Sequence, residues 1–237
     1  MNQAGQDDLD TRLGRIAALG DPIRRALYRF VVAQAEPVGR AQAADAVGIA
    51  HHSAKFHLDK LESEGLLDIE YTRQPGRSGP GAGRPAKRYR RSAREVAVSL
   101  PERRYDLAGH VMAEAITAAT DSDVPMAEAV QQSASALGRT LGERARGRVG
   151  SRPSRAAGVR AVTAELAECG YEPRADSDRI VLANCPFHTL AAKFPDLVCR
   201  LNFGLLEGFV QACGPAGLRA KLSPETGRCC VTLTRDR

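Results

Sequence analysis

Residues 40–71 read RAQAADAVGIAHHSAKFHLDKLESEGLLDIEY. Arg40 to Ala46 reads as a short helix, and Val47-Gly48-Ile49-Ala50 as a tight turn with glycine at the helix end. A second helix runs from His51 to about Glu64. In it Ala54, Leu58 and Leu61 recur at three- and four-residue steps and form one apolar stripe. Gly65 closes that helix, and Leu66 to Tyr71 starts a strand. Two short helices joined by a glycine-containing turn are the helix-turn-helix arrangement. The second helix of such a pair enters the major groove of DNA by its N-terminal end. Here that end carries His51, His52, Ser53 and Lys55, all polar and able to donate hydrogen bonds.

Upstream, Leu13, Ile16, Leu19, Ile23, Leu27 and Phe30 keep a helical period from Asp10 to Gln34. Asp21-Pro22 is a helix-start signal, Asp as N-cap and Pro in the first turn, so two helices meet at Gly20. Downstream, the basic residues between Tyr71 and Arg91 are Arg73, Arg77, Arg84, Lys87, Arg88, Arg90 and Arg91, with no acid among them. Gln74 to Arg84 is rich in Gly, Pro and Arg and lies between two strand-like runs, which fits the loop of a hairpin. Such a wing can enter a minor groove or track phosphates, where Arg and Lys release counterions. A charge run alone is most simply a solvated loop. Its place just after a recognition-type helix favours DNA, with Arg77, Arg84 and Lys87 as contacts.

The chain has 237 residues, which suits two modest domains or one large one. Hydrophobic content of 43% and charged content of 26% are ordinary for a globular protein, and the net charge of +6 is a mild push toward a polyanionic partner. No apolar run approaches the ~20 residues of a membrane helix, so no membrane association is expected. The polar, acidic start from Met1 to Asp10 is not a secretory signal, and a cytoplasmic protein is expected. No Walker loop, GxSxG, HExxH or paired-carboxylate motif occurs, which argues against an enzyme.

The expected fold is mainly α with small β elements. Residues 1–95 form a winged helix-turn-helix. Residues 96–152 form a helical connection and dimerisation region, with helices over Leu107–Ala119 and Pro125–Arg146. Residues 153–237 form an α+β, cysteine-containing sensor domain. Gly147 to Ser154 (GRVGSRPS) breaks the long helical pattern. In the last region Arg155–Glu168 and Leu197–Ala212 read as helices. Ile180–Ala183, Leu218–Leu222 and Cys229–Leu233 read as strands.

All six cysteines fall after residue 168. In a reducing compartment this raises metal or redox chemistry above structural disulfides. The spacing is not a CxxC signature. Cys199 and Cys213 are fourteen residues apart on one apolar helix, or ~21 Å at the helical rise, too far to share a cluster on an unbroken helix. Cys229 and Cys230 are adjacent on a strand, so their side chains are expected on opposite faces, Cys229 inward with Val231 and Leu233. Cys169, at a helix end, reads as peripheral. The most compatible set is Cys185, Cys199 and Cys229. The plain alternative for any single cysteine is a small buried apolar residue, and that reading is preferred for Cys169 and Cys213.

Two resemblances bear on this pattern. Ala18-Leu-Gly-Asp-Pro-Ile-Arg-Arg-Ala-Leu27 and Ala54-Lys-Phe-His-Leu-Asp-Lys-Leu-Glu-Ser-Glu-Gly-Leu-Leu67 resemble ArsR-type winged-helix repressors. That resemblance implies a homodimer on a palindromic or near-palindromic double-stranded DNA operator. Asn184-Cys-Pro-Phe-His188, Leu197-Val-Cys199, Leu205-Leu-Glu-Gly208 and Gly227-Arg-Cys-Cys230 are similar to the C-terminal part of SufR-type regulators, iron–sulfur repressors of iron–sulfur assembly operons. This second resemblance implies a [4Fe–4S] cluster on Cys185, Cys199 and Cys229. The fourth site is then either left open or taken by another group, His188 or an unidentified non-cysteine ligand, and the doubled Cys229-Cys230 lets either residue serve. A zinc site or a dithiol switch is the alternative.

Overall fold

The computed structural model describes residues 9–72, 85–150, 154–176, 178–214 and 217–235. The chain divides into two compact units, Met1–Val98 and Ser99–Arg237. Among the described residues, no helix is long and apolar enough to cross a membrane.

The first unit runs α1 (Leu9–Ala18), α2 (Pro22–Val32), β1 (Val38–Gly39), α3 (Arg40–Val47), α4 (His51–Ser63), β2 (Leu67–Thr72) and β3 (Ala86–Arg91). Asp21 caps α2 as expected, its Oδ1 accepting from the Arg24 amide at 2.9 Å, with Pro22 in the first turn. Gly48 ends α3 at φ 73°, a conformation that costs a side chain dearly. The Ile49 amide then donates to the Ala44 carbonyl at 3.0 Å, which satisfies a helix-end acceptor and sets the turn into α4. β2 and β3 pair antiparallel, Ile69 opposite Tyr89, and the two-residue β1 adds to β3 with Val38 opposite Tyr89. β1 is too short to show a period, and sequence reading missed it. Leu27, Val31, Val38, Ala54, Leu58, Leu61, Leu67 and the Tyr89 ring close the core.

The second unit runs α5 (Tyr105–Asp121), α6 (Met126–Gly147), α7 (Arg155–Glu168), β4 (Pro173–Ala175), β5 (Arg179–Leu182), α8 (His188–Lys193), α9 (Pro195–Cys213), β6 (Leu218–Leu222) and β7 (Val231–Arg235). Its sheet is antiparallel throughout, in the order β4-β5-β7-β6. Ile180, Leu182, Val231 and Leu233 face inward and are buried with Leu201, Leu205 and Phe209 of α9. α5 and α6, expected as a separate connection, contribute to this same core through Ala108, Val111, Ala129, Ala134 and Leu137.

The reason lies in glycine. A Cβ at Gly138 of α6 would collide with the carbonyl of Leu205, and one at Gly142 with that of Phe209. From the other side, a Cβ at Gly208 of α9 would collide with the carbonyl of Ser135. Gln131 lies against Gly204 near one end of the contact and Gly142 against Phe209 and Ala212 near the other, so α6 and α9 run parallel with their backbones in contact. The elements between them form the long crossover that parallel helices require. At the end of α6, Arg144 and Arg148 bind Glu165 of α7, whose side chain is wholly buried.

Candidate functional site

Two groups of chemistry-bearing residues stand out, one in each unit. In the first unit, Ala54, Leu58 and Leu61 bury one face of α4. At 100° per residue the opposite face carries His52, Phe56 and Ser63, flanked by Lys55 and Lys60. Together with Asp59 these residues line an open groove. His51, His52 and Lys55 are exposed and Ser53 is half-buried. The His51 imidazole meets Asp45 Oδ1 of α3 at 3.0 Å. Phe56 is 67% exposed beside the basic residues. Sequence reading passed over it because an aromatic residue in a helix is first taken for core.

Lys87 is engaged inside the unit. Its ammonium lies 2.6 Å from Asp59 Oδ1 and 3.7 Å from Glu62 Oε2, and sits over the Tyr89 ring. Of the other wing cations, Arg90 pairs with Glu70 at 3.0 Å, and Arg88 donates to the Pro37 carbonyl at 3.1 Å. The run without acids in sequence thus meets acids and acceptors across the fold. Arg77, Arg84 and the rest of the expected wing loop lie outside the described residues.

In the second unit, local hydrogen bonds place the cysteines. After β5 the chain turns through Asn184, Cys185, Pro186 and Phe187, and the His188 amide closes the turn on the Cys185 carbonyl at 3.1 Å. The Asn184 side-chain amide donates to the carbonyls of Gly170 (2.6 Å) and Glu102 (2.9 Å). Arg103 donates to Asn184 Oδ1 and to the Cys185 carbonyl, the latter at 2.9 Å. Pro195 opens α9, which carries Cys199 in its second turn. The Cys229 amide donates to the Leu182 carbonyl at 2.9 Å, which ties the segment before β7 to the end of β5.

These ties bring four thiols together. Cys185 interacts with Cys229, Cys229 with Cys230, and Cys230 with Cys199. Cys229 and Cys230 precede β7 instead of beginning it, so strand alternation does not apply to them. The Asn202 amide lies 3.0 Å from Cys229 Sγ and 3.9 Å from Cys230 Sγ, so both sulfurs face one group. The expectation of opposite faces is corrected here. Cys229 is fully buried, as its inward assignment required.

The titration behaviour follows from this row. Its Cys229 neighbour pushes Cys185 below the usual thiol range, helped by the Phe187 amide and Arg103 against the opposing effect of burial. Cys230 is lowered to about 6, by Cys229 first and then by Cys199 and Asn202, again against burial. Cys229 is pushed well above the usual thiol range, by Cys185 and Cys230 first and by burial after them. Burial raises Cys199 to about 12, helped by Cys230.

Cys169 and Cys213 stand apart, each raised to about 12 by burial. Cys169 caps α7 but is only 3% exposed, so it is a core residue and not a peripheral one. α9 is unbroken from Cys199 to Cys213, which keeps Cys213 at its far end. His188 is exposed. Among the described residues, no group of three or more His, Cys, Asp or Glu side chains stands ready as a metal cage.

Sequence reading also missed the polar residues that support this row: Asn202, Tyr171 and Arg103. The available signal was Asn202, a lone amide in the apolar run Leu201–Val210, one helical turn after Cys199. No curated protein matches the chain. A family model described as a helix-turn-helix domain matches residues 19–70, the span from the turn before α2 into β2. The first unit is a winged helix-turn-helix domain, the kind of DNA-binding module found in transcription regulators.

Proposed function

We propose that this protein is a transcriptional repressor that senses iron–sulfur or redox status through its second unit and binds its operator through the first. The observation that carries the sensing half is the row Cys185, Cys229, Cys230 and Cys199, drawn from three separate segments of chain. The chemistry of the donor set fits an iron–sulfur cluster: thiolates are soft anionic ligands, and the thiols of Cys185 and Cys230 are both lowered from the usual range. Cys185, Cys199 and Cys229 would hold a [4Fe–4S] cluster. Cys230 stands better than the exposed His188 as the fourth ligand, because it already shares the Asn202 amide with Cys229. A bound cluster would supply a one-electron change or its own disassembly as the signal.

The similarity of the Asn184–His188 and Gly227–Cys230 motifs to SufR-type regulators supports iron–sulfur assembly genes as the target. A homodimer would set two α4 helices at half-sites about one DNA turn, ~34 Å, apart. Loss of the cluster would release the ties at Cys185, Cys199 and Cys229 and lower operator affinity.

The test is iron, zinc and acid-labile sulfide analysis with a visible spectrum on anaerobically purified protein. DNA binding is measured before and after the cofactor is stripped. A brown protein with iron and sulfide, whose operator affinity falls on stripping and in Cys185→Ser, is expected. Colourless protein containing zinc would make this a zinc-stabilised regulator. Absence of iron and sulfide, with Cys185→Ser binding DNA as the parent does, would sink the sensing role.

A further inference from the structure

Asn202 is the one residue in the middle of α9 whose polar side chain is sealed in the core, at 1% exposure. Buried amides are costly unless satisfied, so their partners say what the site demands of them. The Tyr171 hydroxyl, itself buried at 2% exposure, donates to Asn202 Oδ1. In this arrangement the hydroxyl meets the amide oxygen, and the NH2 group is left for the other side. On that side are Cys229 Sγ at 3.0 Å and Cys230 Sγ at 3.9 Å. An NH2 group has only donors to offer. The sulfurs it faces are therefore acceptors, a role that a thiol sulfur fills weakly and a metal-bound thiolate fills well.

We infer that Tyr171 and Asn202 form a positioning pair that holds Cys229 and Cys230 together as ligands and sets the redox potential of the group they bind. This rests on the iron–sulfur reading above. Hydrogen bonds to cluster sulfurs favour the reduced, more negative state and raise the potential. A fixed donor in a dry core acts more strongly than a solvated one. The pair also explains the doubled cysteine: one amide, with two hydrogens, spans two adjacent sulfurs. Asn202 lies three residues after Cys199 on α9, so the helix that brings one thiol brings the donor for two others on the next turn.

The experiment is redox titration of the anaerobically purified full chain, followed by visible spectroscopy, on the parent, Asn202→Leu and Tyr171→Phe. Iron and sulfide are measured on each. Asn202→Leu removes the donor and is expected to lower the midpoint potential and shorten the cluster's lifetime in air severalfold. Tyr171→Phe removes one oxygen and leaves the ring's packing. It frees the amide to turn and is expected to move the potential in the same direction by a smaller amount. A parent potential in Tyr171→Phe, whatever the fate of Asn202→Leu, overturns the inference while leaving the cluster reading intact. A parent protein without iron and sulfide overturns both.

Discussion

The ammonium of Lys87 on β3 lies 2.6 Å from Asp59 Oδ1 on α4, so the strand that leads out of the wing is tied by charge to the helix expected to read DNA. Tyr89 donates to the same oxygen at 2.8 Å. Burial by itself would raise the Asp59 carboxyl, but the hydrogen bonds from Lys87 and Tyr89 outweigh it and hold the group below its usual range. A folded-state pKa held down contributes stability that is present above the unfolded value of ~3.9 and lost as pH falls through the folded value. Asp59→Asn is expected to cost up to ~1 kcal/mol at neutral pH, the pair being partly exposed. The difference from the parent should shrink below about pH 4. Urea unfolding of both proteins at neutral and acid pH checks this.

On the open face of α4, Lys55 and Phe56 are expected to do different work. Lys55→Ala should weaken binding across all sequences and reduce the salt slope by about one unit, the signature of a lost phosphate contact. Phe56→Ala should leave the salt slope alone and relax preference at a thymine, whose methyl group is the apolar feature of the major groove. Operator selection from random DNA, then anisotropy titrations at several salt concentrations, separates the two. Lys87→Ala should change the salt slope less than Lys55→Ala, since Asp59 already neutralises it.

Contact between α6 and α9 leaves no room at Gly138, where a methyl group would meet the Leu205 carbonyl. Backbone cannot step aside as a side-chain tip can, so Gly138→Ala is expected to destabilise the second unit by ~1–3 kcal/mol or more. Gly109, exposed within α5, faces open space. Gly109→Ala should be neutral or stabilise by up to ~1 kcal/mol through helix propensity. Thermal melts of the two variants are expected to move in opposite directions.

With metal removed and thiols reduced, alkylation at neutral pH should follow the thiolate population. Cys230, lowered to about 6, and Cys185, lowered by Cys229, should react first. Cys199, Cys169 and Cys213, each raised to about 12, should lag, the last two also because they are buried. Lowering the pH from 8 to 7 should slow Cys230 little and the half-buried Cys199 by a larger factor. Peptide mass mapping after timed iodoacetamide treatment reads the order. Labelling of Cys213 ahead of Cys230 would contradict it.

Much of the first unit was legible from residues 18–71, because its signals are local. Asp21-Pro22 starts a helix, Gly48 and Gly65 end two, and Ala54, Leu58 and Leu61 mark the buried stripe. Each acts within about one helical turn of itself. In the second unit, Arg155–Glu168 and Leu218–Leu222 were also legible in place, for the same reason. The three-residue β4 and the six-residue α8 were not, since neither is long enough to show a period.

What the sequence by itself determined, then, was the run of helices and strands, the recognition-type helix with its polar N-terminus, and the gathering of every cysteine late in the chain. Only the tertiary structure decided which of those groups meet. Lys87 and Asp59 are 28 positions apart, and Asn202 and Cys229 are 27. Glycines at 138 and 208 draw two distant helices into backbone contact and so bring α5 and α6 into the cysteine unit. The physical reason is common to all three. Caps and periodicity are set by neighbours along the chain, whereas the partner of a charge, an amide or a bare helix face is set by what packing carries to it.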